Sequence, residues 1–66
     1  MDIIINGKPQ TFDSNISVAE MIASTYDSDK GIAVAVNNTL IPRNQWAIRQ
    51  LVENDEIVII KAAYGG

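Results

Sequence analysis

Sixty-six residues, 47% hydrophobic and 20% charged, fit one small folded domain rather than a disordered segment. The chain has no Cys and no His, which excludes a disulfide, a Cys/His zinc site and nucleophilic catalysis by a Cys–His or Ser–His–Asp set. The net charge of −3 argues against nucleic acid and anionic membrane as partners, and no apolar run approaches the roughly 20 residues of a transmembrane helix.

Met1-Asp2-Ile3 lacks the basic start of a signal peptide, so the expected compartment is the cytoplasm. Ile3 to Ile5 is a short β-branched run and predicts a strand. Asn6-Gly7 is the preferred pair for a type I′ turn, and Lys8 to Phe12 is the returning strand. Pro9 cannot donate a ladder bond, which places that strand at a sheet edge. Ser17-Val18-Ala19-Glu20 forms a capping box, with Ile16 before it set to staple onto Met21. Val18, Met21 and Ile22 then share one face of a helix over Val18 to Thr25. Asp27 to Gly31 is polar and turn-like.

Ile32 to Val36 predicts a third strand, with Ile32, Val34 and Val36 on one face and Ala33 and Ala35 on the other. Asn37-Asn38 is a turn pair, because Asn tolerates positive φ. Thr39 to Ile41 makes a brief strand that Pro42 ends, and Arg43 to Gln50 holds a short helical turn. Asn54-Asp55 turns the chain into the strongest strand, Ile57 to Ile60. A first hairpin, a helix across the sheet and a last strand with a free end describe an α+β, ubiquitin-like β-grasp fold. It has a mixed sheet of four to five strands and one main helix. The expected division is a domain over residues 1–61 and a flexible C-terminal tail over 62–66, namely Ala62, Ala63, Tyr64, Gly65 and Gly66.

On such a sheet Ile57 and Ile59 face the helix together with Ile3 and Ile5. Ile4, Val58 and Ile60 then face away, and Ala33 and Ala35 flatten that side. Three aliphatic residues on an uncovered face point to partner docking. A covering loop, or a register shifted by one, would bury them instead. Trp46 reads as core or core rim before it reads as a binding anchor. Arg43 suits a structural ion pair, Glu20 belongs to the capping box, and Glu53 and Asp55 sit in a turn with no other chemistry nearby. Lys61, just before the tail, is a weak candidate for contact with phosphates or an acidic partner.

Glycine makes up roughly 7% of average usage, so two at a given end are uncommon. Gly65-Gly66 is a narrow arm without side chains, ending in an α-carboxylate that is ordinarily ionised at neutral pH. Extended, Lys61 to Gly66 spans at most about 20 Å, enough to enter a pocket while the body stays outside.

The β-grasp order, Ala33-Val34-Ala35-Val36-Asn37, the stretch Ile41-Pro42-Arg43-Asn44-Gln45-Trp46 and the final Gly65-Gly66 together resemble the ThiS family of thiamine-pathway sulfur carriers. The likeness covers the whole chain. Asn54-Asp55 stands where Gly-Asp is common in the family, and Tyr64 puts a large ring before the glycines. The resemblance implies a protein cosubstrate that performs no catalysis and binds no cofactor of its own. A ThiF-like enzyme would adenylate the Gly66 carboxylate with ATP. Sulfur from a sulfur-donating enzyme would then displace AMP, and a ThiG-like thiazole synthase would take that sulfur from the thiocarboxylate. Without Cys, Gly66 is the sensible place for sulfur on this chain. The same tail also suits a molybdopterin-synthase small subunit, a ubiquitin-like protein modifier, or a binding module whose glycines are incidental.

Overall fold

The computed structural model describes residues 1–62. The elements run in the order β1 (Asp2–Ile5), β2 (Lys8–Thr11), α1 (Val18–Thr25), β3 (Ile32–Val36), β4 (Thr39–Leu40), a 3₁₀ turn (Arg43–Gln45) and β5 (Glu56–Lys61). The strands form one sheet in the order β2-β1-β5-β3-β4. β5 therefore lies at the centre, parallel to β1 and antiparallel to β3, which makes the sheet mixed. The Pro9 strand occupies one edge, as its missing N–H requires, and the two-residue β4 occupies the other.

Both hairpins close through two residues in left-handed conformation. Asn6 and Gly7 lie at φ 50° and 80° between the paired Ile5 and Lys8. Asn37 and Asn38 lie at φ 50° and 69° between the paired Val36 and Thr39. Positive φ at both central positions is what a type I′ turn needs, and its twist matches that of the strands. The returning strand ends at Thr11, one residue short of the expected Phe12. Phe12 instead turns its ring onto the core rim and exchanges backbone bonds with Met1. Ile41 likewise falls outside β4, although its N–H still donates to the Val34 carbonyl.

Helix α1 begins at Ser17 with both halves of the capping box in place. Ser17 Oγ accepts from the Glu20 N–H at 3.1 Å, and Glu20 Oε1 accepts from the Ser17 N–H at 2.9 Å. The other unpaired donors of the first turn are met from far along the chain. Val18 N–H donates to the Arg49 carbonyl and Ala19 N–H to the Trp46 carbonyl. The segment after the 3₁₀ turn thus completes the cap, leaving the helix start with no unmet donor. The helix buries Val18, Met21 and Ile22 against Ile3, Val34, Val36, Leu51, Ile57 and Ile59. With no Cys to form a disulfide, this apolar layer is the main source of stability, at about 25 cal/mol per Å² of apolar surface removed from water.

Candidate functional site

β5 is where core and outer face separate. Ile57 and Ile59 are buried, while Val58 and Ile60, one step along, are 40% and 62% exposed. Register fixes what stands beside them. Ala35 lies opposite Val58 and Ala33 opposite Ile60, with Leu40 opposite Ala35 on the far side. On the other flank Ile4 lies between Pro9 and Glu56. The face away from α1 therefore carries Ile4, Val58 and Ile60 as expected, bordered by Ala33 and Ala35 and extended by Leu40, which is 67% exposed. Leu40 was not foreseen as part of this face. A two-residue strand has too little alternation to assign a side, and only its pairing with Ala35 places it.

Two side chains hold β5 along its length. Asn37 Oδ1 accepts from the Glu56 N–H at 2.9 Å, while its Nδ2 donates to Asp55 Oδ1 at 3.0 Å. Asp55 is buried, and its other oxygen accepts from the Val52 N–H at 2.8 Å. This carboxylate locks the turn into β5. It is a structural group, as its place in a turn suggested. Asn54, at φ 69°, supplies the left-handed residue just before it, a conformation that Asn accepts with little strain. Farther along, Asn6 reaches across from the first hairpin to the backbone of Ile59.

The Pro42-Arg43-Asn44-Gln45-Trp46 stretch is a clamp beside the sheet. Trp46 is buried and donates through Nε1 to the Ile41 carbonyl at 3.0 Å. The Arg43 guanidinium lies 4.5 Å from the centre of the Trp46 ring. It also pairs with the Asp29 carboxylate at 2.9 Å and donates to the backbone carbonyls of Asp29 and Ile32. One cation thus ties the 27–31 turn and the start of β3 to the ring. That answers the sequence expectation for both residues: Trp46 is core, and Arg43 is paired.

β5 stays tethered up to the last described residue. Lys61 pairs with Ile32, and Ala62 N–H donates to the Gly31 carbonyl at 2.8 Å. The Lys61 ammonium lies 5.6 Å from the Tyr26 ring, over the C-terminal cap of α1. Ala63, Tyr64, Gly65 and Gly66, the rest of the expected tail, lie outside the described residues. Among the described residues no group of three or more acidic, Cys or His side chains converges to hold a metal, and no helix is long and apolar enough to cross a membrane.

Comparison with known proteins places these features. The ThiS family model matches residues 3–66. The sulfur carrier protein ThiS of Escherichia coli K12 is 27% identical over 66 residues, covering all of both chains. A crystal structure of the thiamine biosynthesis protein ThiS from Geobacter metallireducens superposes with a TM-score of 0.85 at 22% identity, again over all of both chains. A solution structure of a thiamine biosynthesis protein from the same organism gives 0.82 at 22% identity, over all of this chain and 88% of the other. At that identity the two structures speak for the β-grasp fold. The family match spans nearly every residue described above, and the chain belongs to the ThiS family of sulfur carrier proteins.

Proposed function

We propose that the chain carries sulfur for thiamine biosynthesis as a thiocarboxylate on Gly66. The observation behind this reading is the family match, which runs through the sheet, the Arg43–Trp46 clamp and on to the final Gly65-Gly66. An ionised carboxylate is a poor electrophile. Attack of its oxygen on the α-phosphorus of ATP, within a ThiF-like enzyme, releases pyrophosphate and leaves an acyl-adenylate. Sulfur supplied by a donor enzyme at the sulfide level then attacks the acyl carbon, and the bond from that carbon to the AMP oxygen breaks as the C–S bond forms, releasing AMP and a proton with no redox change. The resulting –COS⁻ presents a soft sulfur nucleophile to a ThiG-like thiazole synthase. ATP is the partner's substrate, and this chain contributes the acyl group and its delivery.

Delivery is set by the end of β5. Because the ladder holds through Ala62, four residues remain, with a fully extended reach of at most about 14 Å. This is shorter than the span expected when Lys61 and Ala62 are counted as free chain. The folded body must therefore dock close to the adenylation pocket. The aliphatic face of Ile4, Val58 and Ile60, with Leu40 and the two alanines, supplies an apolar surface centred on the strand that leads to Gly66. Gly65 and Gly66 have no side chains to obstruct entry into a narrow pocket, and Tyr64 precedes them in the sequence.

The direct test uses a Gly66 deletion beside the parent chain, with the adenylating enzyme and ATP. The expected outcome is pyrophosphate release with the parent and none with the deletion, while both keep the same circular dichroism. Equal pyrophosphate release from the two would overturn the assignment of Gly66.

A further inference from the structure

Asn6 does more than turn the first hairpin. β1 stops at Ile5, and its ladder with β5 stops at the Ile5–Ile57 pair. The chain then leaves in a left-handed turn, while β5 continues for four more residues to Lys61. Ile59 faces Val34 on the β3 side, but the Val34 carbonyl is turned outward to accept from the Ile41 N–H. In an antiparallel pair of this kind both residues aim their backbone groups away from each other. The N–H and C=O of Ile59 therefore point to the side that β1 has vacated. Asn6 fills it. Its backbone N–H donates to the Ile57 carbonyl at 2.9 Å, its Oδ1 accepts from the Ile59 N–H at 2.8 Å, and its Nδ2 donates to the Ile59 carbonyl at 3.3 Å. One side-chain amide thus continues the sheet by one further step after the strand has turned away. Asn suits the place twice over, since it also accepts φ 50°.

We propose that Asn6 is a positioning residue for the sulfur-carrying tail: by pairing with Ile59 it fixes the direction in which β5 leaves the sheet, and so where Gly66 arrives in a partner's pocket. This rests on the sulfur-carrier reading above. Beyond Ile59, β5 is held on its β3 flank through the Ile32–Lys61 pair and the Ala62–Gly31 bond, and the Asn6 amide supplies the tie on the opposite flank, so its loss leaves the end of the strand held from one side. Reacting groups held in place lose little rate to disorder, whereas a displacement of about 1 Å is costly. The described bonds of the Asn6 side chain are to the Ile59 backbone, so its effect is on geometry.

Asn6→Gly keeps the left-handed backbone and removes both side-chain bonds, whereas Asn6→Asp keeps the acceptor and removes the donor. Asn38→Gly is the control, altering a left-handed position in the other hairpin. In Asn6→Gly, amide exchange at Ile59 is expected to rise roughly tenfold, the factor that corresponds to one lost hydrogen bond, with core amides of α1 and β3 unchanged. With the adenylating enzyme and ATP, kcat for pyrophosphate release is expected to fall roughly tenfold at unchanged KM. Asn6→Asp should fall between, and Asn38→Gly should match the parent. Unchanged Ile59 exchange in Asn6→Gly, or faster exchange with kcat intact, would overturn the proposal. So would a rise in exchange spread evenly over the sheet with kcat and KM both retained, which would assign Asn6 to turn stability alone. Failure of the parent chain to release pyrophosphate would instead overturn the sulfur-carrier reading, and the exchange experiment judges the Asn6–Ile59 pairing without it.

Discussion

Gly66 and Asp55 are assigned weight for two different reasons. Gly66 matters for what it is attached to: its carboxylate is the proposed reacting group, and it has no side chain to obstruct activation. Gly66→Val should leave the melting temperature unchanged and abolish adenylate formation, measured as pyrophosphate release. Asp55 matters for what it holds. Its buried carboxylate accepts from Asn37 and from the Val52 N–H, so Asp55→Ala removes two charge-assisted bonds and leaves both donors seeking a partner. The expected cost is about 3 kcal/mol by urea unfolding. A loss under about 1 kcal/mol would mean that water replaces the carboxylate easily. Asp55 was recognisable from sequence as a turn residue, but its burial was not. Its hydrogen-bond partner Asn37 is 18 positions away, in the turn between β3 and β4.

Local signals mapped well onto elements, and distant ones did not. The capping box placed the start of α1 at Ser17, and Asn-Gly placed the first turn, because both devices act within four residues. Alternation in Ile32 to Val36 and in β5 assigned the buried faces correctly, since strand periodicity is a property of the segment itself. What sequence left out was how elements complete one another. The carbonyls of Trp46 and Arg49 satisfy the first donors of α1, and the Arg43 guanidinium joins the Asp29 turn to β3 and to Trp46. No periodicity encodes such contacts. Their sharing makes a prediction about the cap. Because two of the first-turn donors are met by backbone from elsewhere, Ser17→Ala removes only the Glu20 N–H bond and the reciprocal geometry. It should cost about 1 kcal/mol in chemical denaturation and leave the fold intact. Unfolding of this variant at room temperature would show that the side-chain cap, and not the 46–51 segment, holds the helix start.

In the whole molecule, stability and proposed function lie on opposite faces of one sheet. The face toward α1 is the core, while the other leaves Ile4, Leu40, Val58 and Ile60 in water beside two alanines. The exposed pattern was readable in advance for Ile4, Val58 and Ile60 from alternation, and invisible for Leu40 until the β3–β4 register was known. Val58→Asp should therefore keep the melting temperature within a few degrees, because surface substitutions usually change stability little, yet raise KM for the adenylating enzyme at least tenfold. An unchanged KM would move the docking surface elsewhere. The most direct measurement is the intact mass of the chain after incubation with a ThiF-class adenylating enzyme, ATP and a sulfur-donating enzyme with its substrate. The expected product is heavier by the difference between one sulfur and one oxygen. Fragmentation should place the change on Gly66, and a thiol-alkylating reagent should capture it. An unchanged mass under conditions that convert an active ThiS protein, or a change located on any other residue, would contradict the sulfur-carrier reading.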